Sequence, residues 1–276
     1  MRYLLLTIFL ASSLAGVADE SPSAPAKAPL DIKILEAKWG EASLNDIHAV
    51  LTSTANQLWP HAAQKKLDTI LVNRSTEGPI VLFRRGDKGQ YFVNLATSHR
   101  FWAQYAFQFA HEFGHIMCNY KAGSRENQWF EETICESASL FALGRMSKTW
   151  EHSPPYRNWK SYAKHLGIYL KERIDEHPWP ESTSIASWYR QNAKILRENH
   201  AERKLNTTLA TQLLPLFEEK PERWKAVAYL NAKKTSEPRD FYQFLKDWKT
   251  SCPAEDRELP TKIIQLFELE KPHTER

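Results

Sequence analysis

Residues 98–121 read SHRFWAQYAFQFAHEFGHIMCNYK, and His111-Glu112-Phe113-Gly114-His115 within them decides how the rest of the chain is read. No proline interrupts the stretch. Thr97 or Ser98 is placed to cap its start and Gly123 to stop it, so one helix is predicted. Phe101, Trp102, Tyr105, Phe109, Phe113 and Ile116 make that helix apolar nearly all round, as a central, buried helix would be. Two histidines four residues apart lie on one helical face, one turn above each other. Both rings then reach a single zinc ion. Glu112 sits about 100° around the helix, beside the metal, where it can take a proton from a bound water. Gly114 costs roughly 1 kcal/mol of helix propensity against alanine. Next to a metal-binding histidine it lets another element approach closely.

A catalytic zinc usually has three protein ligands and one open position. The longer pattern HExxHxxGxxH requires glycine at 118 and histidine at 121, where this chain has Cys118 and Lys121. An aspartate ligand fails as well, since none occurs between Asp87 and Asp175. Glu126, Glu131, Glu132 and Glu136 remain. Trp129–Leu143 reads as a second helix that buries Phe130, Ile134, Ala138, Phe141 and Ala142, with Glu132 and Glu136 one turn apart on one face.

HEFGH followed by WFEETICE on a second helix resembles the gluzincin metallopeptidases, the group that includes thermolysin and the M1 aminopeptidases. The resemblance covers roughly residues 90–145. It implies that Glu132 is the third ligand and that Glu136 orients His111, fixing its tautomer and raising its basicity. The W-x-x-E frame is similar to the WLNEG stretch of the M1 group and also selects Glu132, with Glu131 the rival. Glu131 stands where that group has asparagine, Cys135 where it has a small residue, and the gap from His115 to Glu132 is shorter.

The expected fold class is α+β, a zincin-like core followed by a mainly helical C-terminal half. Leu44–Trp59 reads as an amphipathic helix, and Asp68–Asn73, Pro79–Arg84 and Gln90–Ala96 read as strands of a small, mostly antiparallel sheet. By the resemblance, the strand before the HEFGH helix edges the cleft, so Asn94, Leu95 and Ala96 are expected to bind peptide through unpaired backbone groups. The implied activity is peptide hydrolysis: a zinc ion lowers the pKa of a bound water to about 7, and Glu112 carries the proton to the leaving amine. Tyr156, His177 and Tyr189 are candidate donors to the oxyanion. The alternatives are a zinc hydrolase of a non-peptide bond, such as a cell-wall amide, and a non-catalytic binding protein on a peptidase scaffold.

Met1–Ala18 reads as a signal peptide, with a basic start, an apolar run over Tyr3–Leu10 and small residues at Gly16 and Ala18. The run is too short for a membrane span. Asp19–Pro29 reads as a disordered linker, 30–150 as the catalytic core and 151–276 as a helical region. The expected location is periplasmic or secreted, with no stable membrane anchor after cleavage. The 37 basic and 33 acidic residues are interspersed, which leaves a net charge of +4 and no nucleic-acid footprint. Cys118 and Cys135 are expected to point away from the metal in opposite directions, too far apart to bridge. Asn73 and Asn206 begin glycosylation sequons. Beyond Tyr156, helices are expected at Trp159–Ile174, Ser184–Asn199, Thr207–Glu218, Pro221–Asn231 and Asp240–Lys249, punctuated by prolines. Their tryptophans read as core.

Overall fold

A computed structural model describes residues 27–121, 126–233 and 238–269. The expected signal peptide, most of the linker and the stop at Gly123 lie outside these residues.

The fold is α+β. A four-stranded sheet has the order β1-β2-β4-β3, with β1 at Ile32–Ile34, β2 at Ile70–Arg74, β3 at Ile80–Val81 and β4 at Tyr91–Leu95. β1–β2 and β2–β4 are parallel, and only β3–β4 is antiparallel. This corrects the expectation of a mostly antiparallel sheet. The strand at Ile32–Ile34 went unread because three residues are too short to show a period, and α1 (Leu44–Leu58) forms the crossover that makes β1 and β2 parallel. β4 is an interior strand, not the cleft edge. Asn94 pairs with Asn73 and Ile80, Leu95 lies opposite Arg74, and the Gln108 side-chain amide bonds both backbone groups of Ala96 at 2.8 and 3.3 Å. The edge beside the HEFGH helix is β3.

α2 (Trp102–Met117) starts later than expected. Thr97 turns its hydroxyl to Gln104, and His99 takes φ 53°, a turn no helix can include. α3 (Gln128–Trp150) runs seven residues past the expected Leu143, and buried Met146 and Trp150 extend its apolar face. α2 and α3 are antiparallel: Ser139 donates to the Phe107 carbonyl, while His115 meets Glu131.

The remaining helices are α4 (Ala163–Asp175), α5 (Ile185–Glu198), α6 (Arg203–Glu219), α7 (Trp224–Val227), α8 (Phe241–Ser251) and α9 (Glu258–Leu266). The first turn expected for α4 is a 3-10 segment, and α7 is a short piece of the expected Pro221–Asn231 helix. Pro215 lies inside α6 without ending it. An interior proline costs about 3 kcal/mol, and burial of Leu213, Leu214 and Phe217 around it offsets that cost. α1, α2, α4, α5 and α6 all pack on α3. Trp150, Trp188, Trp224 and Trp248 are buried, and Trp159 and Trp179 are half-buried against the same core. Asn206 is buried with its amide on the His200 carbonyl, which removes it from glycosylation in the folded chain. No helix among the described residues is long and apolar enough to cross a membrane.

Candidate metal centre

The centre lies where the C-terminal turns of α2 face the first turns of α3. Helical spacing puts His111, Gly114, His115 and Cys118 on one face of α2 and Glu131, Glu132, Cys135 and Glu136 on the opposing face of α3. Gly114 permits the approach. A Cβ built there would stand 3.1 Å from both Cα and Sγ of Cys135.

Glu132 Oε2 lies 3.1 Å from His111 Nε2 and 3.7 Å from His115 Nε2. The other ring nitrogens turn to other carboxylates. His115 Nδ1 is 2.7 Å from Glu131 Oε1, and His111 Nδ1 is 3.6 Å from Glu136 Oε1. Each imidazole therefore has one nitrogen on its own supporting carboxylate and the other on a shared carboxylate. Glu131, the rival ligand, is on the supporting side. In a tetrahedral zinc site with bonds of about 2.0–2.1 Å, neighbouring donors stand about 3.3 Å apart. The two Glu132 distances bracket that spacing. A second donor set overlaps it: His111, His115 and Cys135 each offer an atom, all within 4.8 Å of one another.

Burial disfavours a charged imidazole at His111, but the Glu132 hydrogen bond and the charges of Glu136 and Glu112 raise its pKa above the ordinary value. His115 is raised much further against the same burial, by Glu131 and Glu132. Burial pushes Glu132 up, and the two imidazoles outweigh it and hold the carboxyl well below the usual range. Desolvation raises Glu112 and Glu136.

Glu112 is buried, and its Oε2 accepts the Val81 N–H of edge strand β3 at 2.6 Å. Tyr120 is brought back beside His115 by a turn at Asn119 (φ 54°), with ring centres 6.4 Å apart. Its hydroxyl donates to the Leu82 carbonyl at 2.6 Å, and burial pushes its pKa up to about 12. A small cleft lined by Phe83, Tyr91, Ile116 and Tyr120 opens alongside.

None of the expected oxyanion donors contacts this group. Tyr156 is exposed and set edge-on to Trp159. Tyr189 stacks on Trp129 and packs against Phe241 and Phe267, where burial raises its phenol to about 12. His177 ends α4 among Glu176, Arg173 and Lys204, and burial lowers its pKa. Tyr120 could have been found, being five residues past His115. Asn231, which donates to Glu131 Oε2 at 2.7 Å, carries no signal in the sequence. The cysteines form no bridge, as expected, but Cys118 and Cys135 do not point apart. Cys118, Cys135 and Cys252 are free and buried, and burial together with a hydrogen bond between Cys135 and Cys118 raises the Cys135 thiol. Cys118 and Cys135 are thus neighbours, because both flank the Gly114 contact rather than pointing away from it.

The site defines a buried two-histidine, multi-carboxylate centre on an antiparallel helix pair. The chain matches no protein-family model, no curated protein and no solved structure.

Proposed function

We propose that this protein is an exported zinc-dependent metallopeptidase with a gluzincin-like core, in which His111, His115 and Glu132 hold the metal and Glu112 is the general base. The observation that carries this reading is the single Glu132 oxygen placed against the Nε2 atoms of both histidines, with each Nδ1 on a separate carboxylate. A bound zinc ion supplies Lewis acidity, lowering the pKa of water to about 7 and polarising a carbonyl. Glu112 projects from the same helix between the two ligands. It takes the proton of the attacking water and delivers it to the leaving nitrogen. Desolvation raises its pKa above the ordinary carboxyl value. Strand β3 supports a peptide as substrate. It is a sheet edge, its Val81 N–H faces Glu112 rather than β4, and Ile80 on it and Phe83 two residues past its end are exposed. Glu136 and Glu131 orient His111 and His115.

One observation favours a second reading, a metal-binding protein without hydrolysis. His111, His115 and the buried Cys135 each offer a ligand atom within 4.8 Å of the others, a set that holds a metal without Glu132. The test is metal content of the purified protein together with cleavage of casein, short aminopeptidase substrates and cell-wall fragments. One zinc per chain with peptide cleavage supports the peptidase. Cell-wall cleavage alone moves the substrate class, and a folded protein that takes up no zinc overturns both readings.

A further inference from the structure

One residue of the C-terminal half reaches the metal centre. Asn231 follows α7 through successive tight turns, in which Tyr229, Leu230 and Ala232 each bond back to a carbonyl three residues earlier. Val227 and Leu230 are buried, and they anchor these turns in the core. The Asn231 carboxamide then spans two elements. Its Nδ2 donates to Glu131 Oε2 at 2.7 Å and to the carbonyl of Cys118, the residue that ends α2, at 3.1 Å. Lys121 Nζ bonds the Asn231 carbonyl at 3.1 Å and fixes its backbone.

The consequence lies in the geometry of Glu131. The final torsion of a glutamate is broad and roughly two-fold, so a carboxylate held by one partner swings. Glu131 Oε1 serves His115 Nδ1 at 2.7 Å. The Asn231 donor on the other oxygen fixes the carboxylate plane, which fixes the imidazole ring and leaves Nε2 aimed at Glu132. A neutral amide does this without competing for the charge of Glu131, as a lysine or arginine would. Both Asn231 hydrogen bonds also join the ends of α2 and α3 that carry the donors.

We propose that Asn231 is a positioning residue of the metal centre, aiming His115 through Glu131 and so placing metal affinity under the control of the C-terminal half. This rests on the reading of the HEFGH centre as a metal site.

The test uses the full chain and Zn2+ alone, titrated against a competing chelator, for wild type, Asn231→Leu, Glu131→Gln and the double variant. The metal-free proteins are also compared by 15N chemical shifts of His115, which report its tautomer. Asn231→Leu is expected to weaken zinc binding 10- to 100-fold, the range for outer partners of metal ligands. The double variant should lose no more than Glu131→Gln alone, and His115 should shift from a single tautomer to a mixture. Asn231→Asp, which keeps the shape and replaces the donor by an acceptor, should weaken binding at least as much and covers failure of the leucine variant to fold. Wild-type affinity in both Asn231 variants, or additive losses in the double variant, would overturn the proposal. Should the folded wild type take up no zinc, the metal reading falls, and an unchanged His115 tautomer would then sink the role of Asn231 separately.

Discussion

Gly114 and the Cα of Cys135 are in direct opposition across the α2–α3 interface, where a methyl group at 114 would lie 3.1 Å from that Cα. Backbone cannot yield as a flexible side chain does. Gly114→Ala therefore gains up to about 1 kcal/mol of helix propensity but incurs an overpacking cost of about 1–3 kcal/mol. A net loss of stability is expected, read as a lower urea midpoint. Zinc affinity should fall with it, because the same displacement separates His111 and His115 from Glu132. An equal or higher midpoint would contradict the close contact.

Glu132→Ala and Cys135→Ser decide between the two donor sets. If Glu132 is the ligand, elemental analysis should find metal lost from the first variant and retained near one equivalent in the second. The reverse pattern would move the third ligand to Cys135.

On the proposed peptidase function, Glu112→Gln is expected to keep the metal and lose hydrolysis by a factor of about 10²–10⁴, the range for a missing general acid–base group. The glutamine oxygen can still accept the Val81 N–H, so the strand contact should survive, as slow amide exchange at Val81 would show. Full activity in this variant would exclude Glu112 as the base.

Asp247 makes a testable contribution to acid stability. It is buried, and Lys233, Arg239 and Gln243 bond its two oxygens at 2.7–2.9 Å. Burial alone would raise its pKa, but these donors hold it below the ordinary value. A depressed carboxylate stabilises the folded state above its unfolded pKa of about 3.9, and that stability is lost as pH falls through the lower folded value. Urea midpoints should therefore decline below about pH 4. Asp247→Asn should be less stable at pH 7 and show a shallower decline in that window; parallel curves would rule Asp247 out as a contributor.

The helix pair was legible in the sequence because its signals are local. HEFGH and the two glutamates one turn apart on Trp129–Leu143 need only the helical period, and the Gly114 gap follows from a missing side chain. The sheet was harder to read. β1 is three residues long and β3 two, and neither strand pairing nor direction is written in so short a run. The supporting residues failed for a different reason. Asn231 lies 100 positions from Glu131, and a surface-type asparagine between helices shows nothing of the carboxylate it meets. Tyr156, His177 and Tyr189 are candidates by residue type and by their place in the C-terminal half, and neither encodes the tertiary packing that sets their surroundings.

α3 carries Glu132 and is wrapped by helices from both sides of residue 150. Its middle turns, with Leu140, Phe141, Ala142 and Leu143 all buried, have no solvent face. A fragment ending at 150 would bare that surface to water. The N-terminal portion is then not a detachable module. Heating should melt the chain in a single calorimetric transition, with the residues before and after 150 unfolding at the same temperature.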